Sequence, residues 1–343
     1  MRQLLNTLFV TSQDIYLSLD GENVVANRKE TAVARYPLHT LQGIVSFSYS
    51  GASPALMGAC ATRQISLTFC TPHGRFLART SGSAQGNVLL RRTQYRAADD
   101  LVQSCRIARM MIFGKIYNAR WSIERMRRDH AMRIDGAQFG EVSSQLQGLL
   151  PQIVEETSLE SLRGLEGAGA TAYFGLLNDM ILQEKETFFF RGRNRRPPLD
   201  PFNALLSFIY SLLANECASA LESVGLDSYV GFLHRDRPGR TSLALDLMEE
   251  LRACFADRFA LTLVNNRMLK AADFDRKESG AVFLADSGRK TVLRKWQERK
   301  QELLTHPFLE EKVPWGLVPY LQSLLLARYL RGDLDDYPPF LWK

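Results

Sequence analysis

The sequence predicts an α+β protein: a small β-rich N-terminal domain over residues 1–84, then a larger all-α domain over residues 85–343. Three observations carry that reading. Up to about Ala78, short apolar runs alternate with turn residues, as strands do. At SGSAQGN, residues 81–87, serine and glycine replace the apolar pattern and mark a boundary. Beyond Asn87 the apolar residues recur every three or four positions over long stretches, which is the period of a buried helix face.

From Leu4 onward the first part reads as strands joined by hairpins. IYLSLDGENVVA sets Ile15, Leu17 and Leu19 on one face and Tyr16, Ser18 and Asp20 on the other, with Asp20-Gly21 at the turn. FCTPHGRFLA repeats the arrangement around His73-Gly74, and SPALMGACATRQI between them reads as a short helix. A long helix is expected from Ala97 to Met132, where Leu101, Cys105, Ala108, Ile112 and Ile116 share a face. The best-marked helix opens at Asp200-Pro201, an N-cap followed by proline at the first helical position. It runs through Phe202, Leu205, Leu206, Ile209, Leu212 and Leu213 to about Gly225, and its stripe is core. A short hairpin is expected near residues 261–285, and LVPYLQSLLLARYL closes the helical part.

A chain of 343 residues can bury a large core, and 45% hydrophobic with 23% charged residues speaks against a disordered or fibrous protein. Five cysteines, Cys60, Cys70, Cys105, Cys217 and Cys254, lie far apart with no CxxC pair, which argues against a disulfide framework or zinc cluster. MRQLLNTLFVTSQD turns polar too soon for a secretory signal, and no run approaches the roughly 18 apolar residues of a membrane span. A cytoplasmic protein with no membrane partner is expected.

The net charge of +6 favours a polyanionic partner, because phosphates neutralised by cations release their counterions. Between Arg91 and Arg128 ten basic residues (Arg91, Arg92, Arg96, Arg106, Arg109, Lys115, Arg120, Arg125, Arg127 and Arg128) face three acids. RGRNRR, with Arg191, Arg193, Arg195 and Arg196, follows Phe188, Phe189 and Phe190 in a loop before the Asp200 helix. Arginine forks match phosphate oxygens, so both clusters are candidate nucleic-acid surfaces; the alternative is a solvated helix face and a surface loop.

Three places carry acid or imidazole groups suited to chemistry. Glu166 lies in SLRGLEGAGATAYF among Gly164, Gly167, Ala168, Gly169 and Ala170, small residues that suggest a close-packed backbone, with Thr157 and Glu160 as a capping box. His234 sits in the polar stretch GFLHRDRPGR. Asp246 and Glu249, three apart in SLALDLMEELR, share one helix face while Leu243, Leu247 and Leu251 cover another. Adjacent like charges need a counter-charge, which a divalent cation or, on a wet surface, a neighbour such as Arg252 or Arg258 would supply. Two carboxylates and an imidazole suit Mg²⁺ or Mn²⁺, which would act on a phosphodiester as a Lewis acid.

GLEGAGATAYF, PPLDPFNALLSFIYSLL, GFLHRDRPGRTSLALDLMEELR and LVNNRMLKAADF resemble, in order and spacing, blocks of the CRISPR-associated endonuclease and integrase family, the first-numbered Cas proteins. The ending ARYLRGDLDDYPPFLW resembles members found with subtype I-C systems. The resemblance implies a β-rich N-terminal domain that forms a homodimer, and a helical metal-dependent domain. It implies double-stranded DNA as substrate, both fragment and repeat array. It also implies assembly with the second-numbered Cas protein, and makes the fourth-numbered Cas nuclease a further candidate partner. Glu166, His234 and Glu249 are then the expected metal ligands, with Asp246 in support. Many relatives carry aspartate where this chain has Glu249, so whether Asp246 or Glu249 makes the closer metal bond stays open. The implied reaction is transesterification, a 3′-hydroxyl attacking a phosphodiester at the repeat edge, with hydrolysis of branched DNA as a related activity.

Three other readings compete. A non-catalytic nucleic-acid binder would explain the arginines but not convergence of Glu166, His234 and Glu249; metal-dependent cleavage separates the two. A small-molecule phosphohydrolase would not need two arginine-rich surfaces or show steep salt dependence. An adaptor would carry a vestigial metal site.

Overall fold

A computed structural model describes residues 5–80 and 88–343; the expected boundary at residues 81–87 lies outside the described residues. The N-terminal part holds two sheets. Strands β1 (Asn6–Val10), β5 (Leu41–Ser46), β6 (Ser66–Cys70) and β7 (Phe76–Arg79) form one sheet in the order β1-β5-β6-β7, while β2 (Ile15–Asp20), β3 (Asn23–Arg28) and β4 (Thr31–Pro37) form an antiparallel sheet. The hairpins expected at Gly21 and Gly74 are present, both glycines having positive φ. The pairings β1-β5 and β5-β6 are parallel, so hairpins alone do not build this region: helix α1 (Pro54–Thr62), capped by Ser53, makes the crossover from β5 to β6. Ile15, Leu17, Val24, Ile44, Leu56 and Leu67 close a core of their own.

The long helix expected from Ala97 is two helices, α2 (Val88–Asp99) and α3 (Leu101–Asp129), because Asp100 leaves helical geometry and accepts the amides of Val102 and Gln103 as the N-cap of α3. Then come α4 (Gly136–Glu155), α5 (Leu159–Met180) and α6 (Pro201–Ser223). Asp200 caps α6 as expected, and Phe202, Leu205, Leu206, Ile209, Leu212 and Leu213 are all buried. By length and composition α6 could span a membrane, contrary to the expectation that no segment would; here its apolar residues pack into the main core against α7 (Ser242–Glu249) and α10 (Val318–Leu330).

A π-helical turn, Arg252–Asp257, joins α7 to α8 (Arg258–Asn265), so residues 261–265 of the expected hairpin are helical. The hairpin is confined to β8 (Phe274–Arg276) and β9 (Val282–Leu284); after α9 (Asp286–Gln301) a second, unforeseen one pairs β10 (Leu303–Thr305) with β11 (Lys312–Pro314). The C-terminal part is therefore mainly helical and not all-α. Its core positions the site, with α3 packing against α4, α5 and α7.

Candidate active site

Four elements bring the acids together. Helix α5 begins one residue later than the expected cap, with Ser158 rather than Thr157 accepting the Ser161 amide. Of its small residues, Gly169 makes the close approach: a Cβ there would overlap Ile116 Cδ1 of α3, whereas Gly164 and Gly167 face open space. That approach sets α5 against α3, and Glu166 meets the amine of Lys115 on α3. On the other side of that amine, 2.8 Å away, lies Glu249 Oε2 from the end of α7. One ammonium thus serves two carboxylates from different helices.

Asp246 and Glu249 are buried, at 0% and 4% exposure, so they are not a pair on a wet surface. Glu249 also meets Arg252 Nη2 at 3.0 Å. Burial alone would raise its carboxyl; Arg252 and Lys115 outweigh that and hold it at about 2. Although Oε2 touches the Lys115 amine, it receives no properly directed hydrogen bond.

Asp246 has a different task. Its Oδ2 accepts the backbone amides of Phe232 (2.6 Å) and Leu233 (3.0 Å), and its Oδ1 accepts the amide of His234 (3.0 Å) and His234 Nδ1 (2.5 Å). Four donors saturate the carboxylate. With Nδ1 donating, His234 keeps a lone pair on Nε2, the form in which imidazole binds metals. Two features of the loop, neither singled out in the sequence, hold it here. Arg163 of α5 donates to the Leu233 carbonyl at 2.6 Å. A Cβ at Gly231 would lie 2.7 Å from Asp246 Oδ2, so only glycine lets the chain come this near.

Among the described residues no three His, Cys, Asp or Glu side chains stand together as a metal-holding cluster, and the Lys115 amine lies against both Glu166 and Glu249. The donor set nevertheless fits a hard divalent ion: two carboxylates that already share one cation, a buried Oε2 with no directed hydrogen bond, and an imidazole whose ring is fixed through Nδ1. Asp246, with every acceptor position filled, fits a supporting role.

The arginine clusters divide. Arg92, Arg191, Arg195 and Arg196 are exposed, and Arg91 is half-buried with its Nε donating to the Gly225 carbonyl. Arg193 turns inward instead, donating to Asn203 Oδ1 (2.7 Å) and Ser207 Oγ (3.0 Å) and lying over the Tyr210 ring. It holds the loop to α6 and is not a free phosphate ligand. Phe188 and Phe190 are core residues. A cavity of about 540 Å³ between the N-terminal strands and α6, lined by Thr7, Gly43, Ser219 and Glu222 among others, contains none of the four site residues.

The model of the family described as "CRISPR associated protein Cas1" matches residues 8–298. The chain belongs to the Cas1 family. It is 51% identical over 350 residues to CRISPR-associated endonuclease Cas1 2 of Rhodospirillum rubrum, and 48% identical over 343 residues to CRISPR-associated endonuclease Cas1 1 of Chlorobaculum tepidum. Each comparison covers all of both chains. Among solved structures, the fold is similar to a casposase bound to integration product (TM-score 0.84, 22% identity, covering 99% of this chain and 95% of that one). It is also similar to a chain of a Cas6-RT-Cas1–Cas2 complex (TM-score 0.80, 21% identity, covering 100% and 36%). For a Cas1 chain the mixed architecture, with strands first and helices after, is the shared frame on which Glu166, His234, Asp246 and Glu249 are mounted.

Proposed function

We propose that this protein is a metal-dependent DNA endonuclease and integrase that inserts short DNA fragments into a CRISPR repeat array. The observation that carries this is the sharing of one cation by Glu166 and Glu249, from separate helices, together with the hold of Asp246, one turn along α7 from Glu249, on His234. Glu166, His234 Nε2 and Glu249 would hold Mg²⁺ or Mn²⁺. When bound, the ion would polarise the phosphoryl oxygen and stabilise the departing oxygen of a phosphodiester attacked by a 3′-hydroxyl.

The chain's own residues do the remaining work. Asp246 keeps the Nδ1 proton of His234 in place, and Arg163 keeps the loop from swinging away. Lys115 and Arg252 hold Glu249 ionised, and the Lys115 amine maintains the spacing of the two carboxylates. Exposed Arg92, Arg191, Arg195 and Arg196 offer forks for DNA phosphates. The names of the relatives and the integration product held by the casposase support the reading as a nuclease and integrase.

The proposed assembly is a homodimer through the N-terminal sheets, joined by the second-numbered Cas protein, with the fourth-numbered Cas nuclease as a further partner in the cytoplasm. Exposed Tyr16, Val33 and Tyr36 on the β2-β3-β4 sheet support the first association, and the Cas1–Cas2 complex among the structural relatives supports the second. The ending ARYLRGDLDDYPPFLW supports placement with subtype I-C members.

Strand joining into a supercoiled repeat-bearing plasmid tests the activity. Glu166→Ala and His234→Ala are each expected to abolish joining while leaving the fold and DNA binding nearly intact. Full activity in either purified variant overturns the assignment.

A further inference from the structure

Outside the proposed catalytic site, the segment from Tyr337 to Trp342 is strapped across α3 and the end of α7. Tyr337 Oη donates to Glu250 Oε1 and the Phe340 amide donates to Oε2, each at 2.6 Å. Asn118 of α3 donates to the Phe340 carbonyl at 2.7 Å and accepts the Trp342 amide at 2.8 Å. These bonds set the Trp342 ring in one wall of a cavity of about 730 Å³, whose other walls include Tyr117, Arg125, Arg258, Arg299 and Thr305. That volume suits a ligand of nucleotide size.

The charge in this cavity is unbalanced. Arg125 pairs with Asp129, which Arg128 also claims, and Arg299 pairs with Glu302, so neither acid is left over for a further arginine. Arg258 forms no ion pair among the described residues, and its Nη1 is buried with no hydrogen-bond partner. Burial, then the nearness of Arg125 and Arg299, pulls its guanidinium down to about 10. A desolvated cation with an open donor is costly unless an anion meets it.

Aromatic faces accompany the cations. The Trp342 ring lies 4.4 Å from the Arg258 guanidinium carbon and 5.4 Å from that of Arg125, and Arg299 sits 5.2 Å from the Trp315 ring. Cations that grip a phosphate beside rings on which a base can stack are the combination used for unpaired nucleic-acid strands. Glu250, Leu251 and the π-helical turn Arg252–Asp257 connect Glu249 to Arg258, so one continuous segment carries a residue of the proposed catalytic site and one of this cavity.

We propose that the cavity walled by Trp342 is a subsite for a nucleotide of an unpaired DNA strand, its phosphate held by Arg258 with Arg125 and Arg299 and its base stacked on an aromatic wall. The proposal rests on the reading of the protein as a DNA enzyme and adds a strand-selective site to it.

The test uses the full chain in EDTA, so that no DNA is cut, with a fluorescein-labelled oligo-dT and a blunt duplex of equal length as probes. Arg258→Gln and Trp342→Leu are expected to weaken oligo-dT binding about tenfold, Trp342→Phe to restore most of it, and duplex binding to change less than about twofold. Arg125→Gln, at the cavity rim, gives the same reading should Arg258→Gln fail to fold. Unchanged oligo-dT affinity in folded variants overturns the subsite, as does equal weakening for both probes. Competition by inorganic phosphate as effective as competition by unlabelled oligo-dT also overturns it, leaving a small-anion site. Wild-type protein that binds neither probe defeats the broader reading as a DNA enzyme instead.

Discussion

His234 Nδ1 lies 2.5 Å from Asp246 Oδ1, and the same carboxylate gathers the amides of Phe232, Leu233 and His234. This relationship separates the two acids of α7. Asp246 is a positioning residue, turning the imidazole and fixing its proton, whereas Glu249 carries charge toward Glu166. An asparagine at 246 would keep most of the shape but weaken the hold on the ring, and loss of such a support typically costs 10- to 100-fold in metal affinity or activity. With Mn²⁺ titrated in a strand-joining assay, Asp246→Asn should recover in part at high metal, while Glu249→Gln should stay inactive at every concentration. Rescue of Glu249→Gln alone would exchange the two roles.

Lys115 gives a test that needs no catalysis. Its amine is the counter-charge for Glu166 and Glu249, with 10% of its side chain exposed against 27% and 5% for theirs. Lys115→Met leaves the two carboxylates facing each other, a loss of about 3 kcal/mol or more for a buried pair. A divalent ion fitting the same place should return part of it. In EDTA the variant is expected to melt well below the wild type, and Mn²⁺ should raise its melting temperature more than it raises the wild type's. Equal metal-induced shifts in both proteins would show that the carboxylates do not share a metal position.

What the sequence could and could not disclose follows from which signals are local. The Asp200-Pro201 cap and the stripe from Phe202 to Leu213 are written in adjacent residues, and the helix stands where they place it. The spacing of Asp246 and Glu249 likewise puts both on one helix. Their burial is not local, since it depends on α3, α6 and α10 packing against α7. For the same reason Lys115 passes in sequence for one more base in a basic helix. Arg193 is hidden in the opposite way: RGRNRR looks uniform, yet Asn203 and Ser207 on α6 draw one member inward. The strands β10 and β11 have three residues each, too few for alternation to register.

That division among the loop arginines can be measured. Replacing Arg195 and Arg196 by alanine together should leave stability near wild type and flatten the salt dependence of duplex binding, by about 0.9 in the log-log slope for each phosphate no longer neutralised. Arg193→Ala should instead lower stability by about 1 to 3 kcal/mol, because Asn203 and Ser207 are left without a charged donor in a largely buried place. A stable Arg193→Ala with a reduced salt slope would return that residue to the DNA surface.

The strap around Glu250 makes a prediction about pH. Burial raises the Glu250 carboxyl from its ordinary 4.5 to about 8, even though Tyr337, Phe340 and Gln322 all donate to it. The folded protein therefore holds a proton there that the unfolded chain gives up above pH 4.5. The stabilisation is full below that value and is lost as pH rises toward 8. Asp257, raised by burial to about 6, pulls in the same direction, so the slope of the wild type alone cannot isolate Glu250. Glu250→Gln removes one titration and keeps the other. Chemical denaturation between about pH 5 and 8.5 should show the wild type losing more stability than the variant across that interval, the difference levelling off only near the alkaline end. Parallel curves over the whole interval would mean that Glu250 is ionised in the folded state and that its three donors fully replace water.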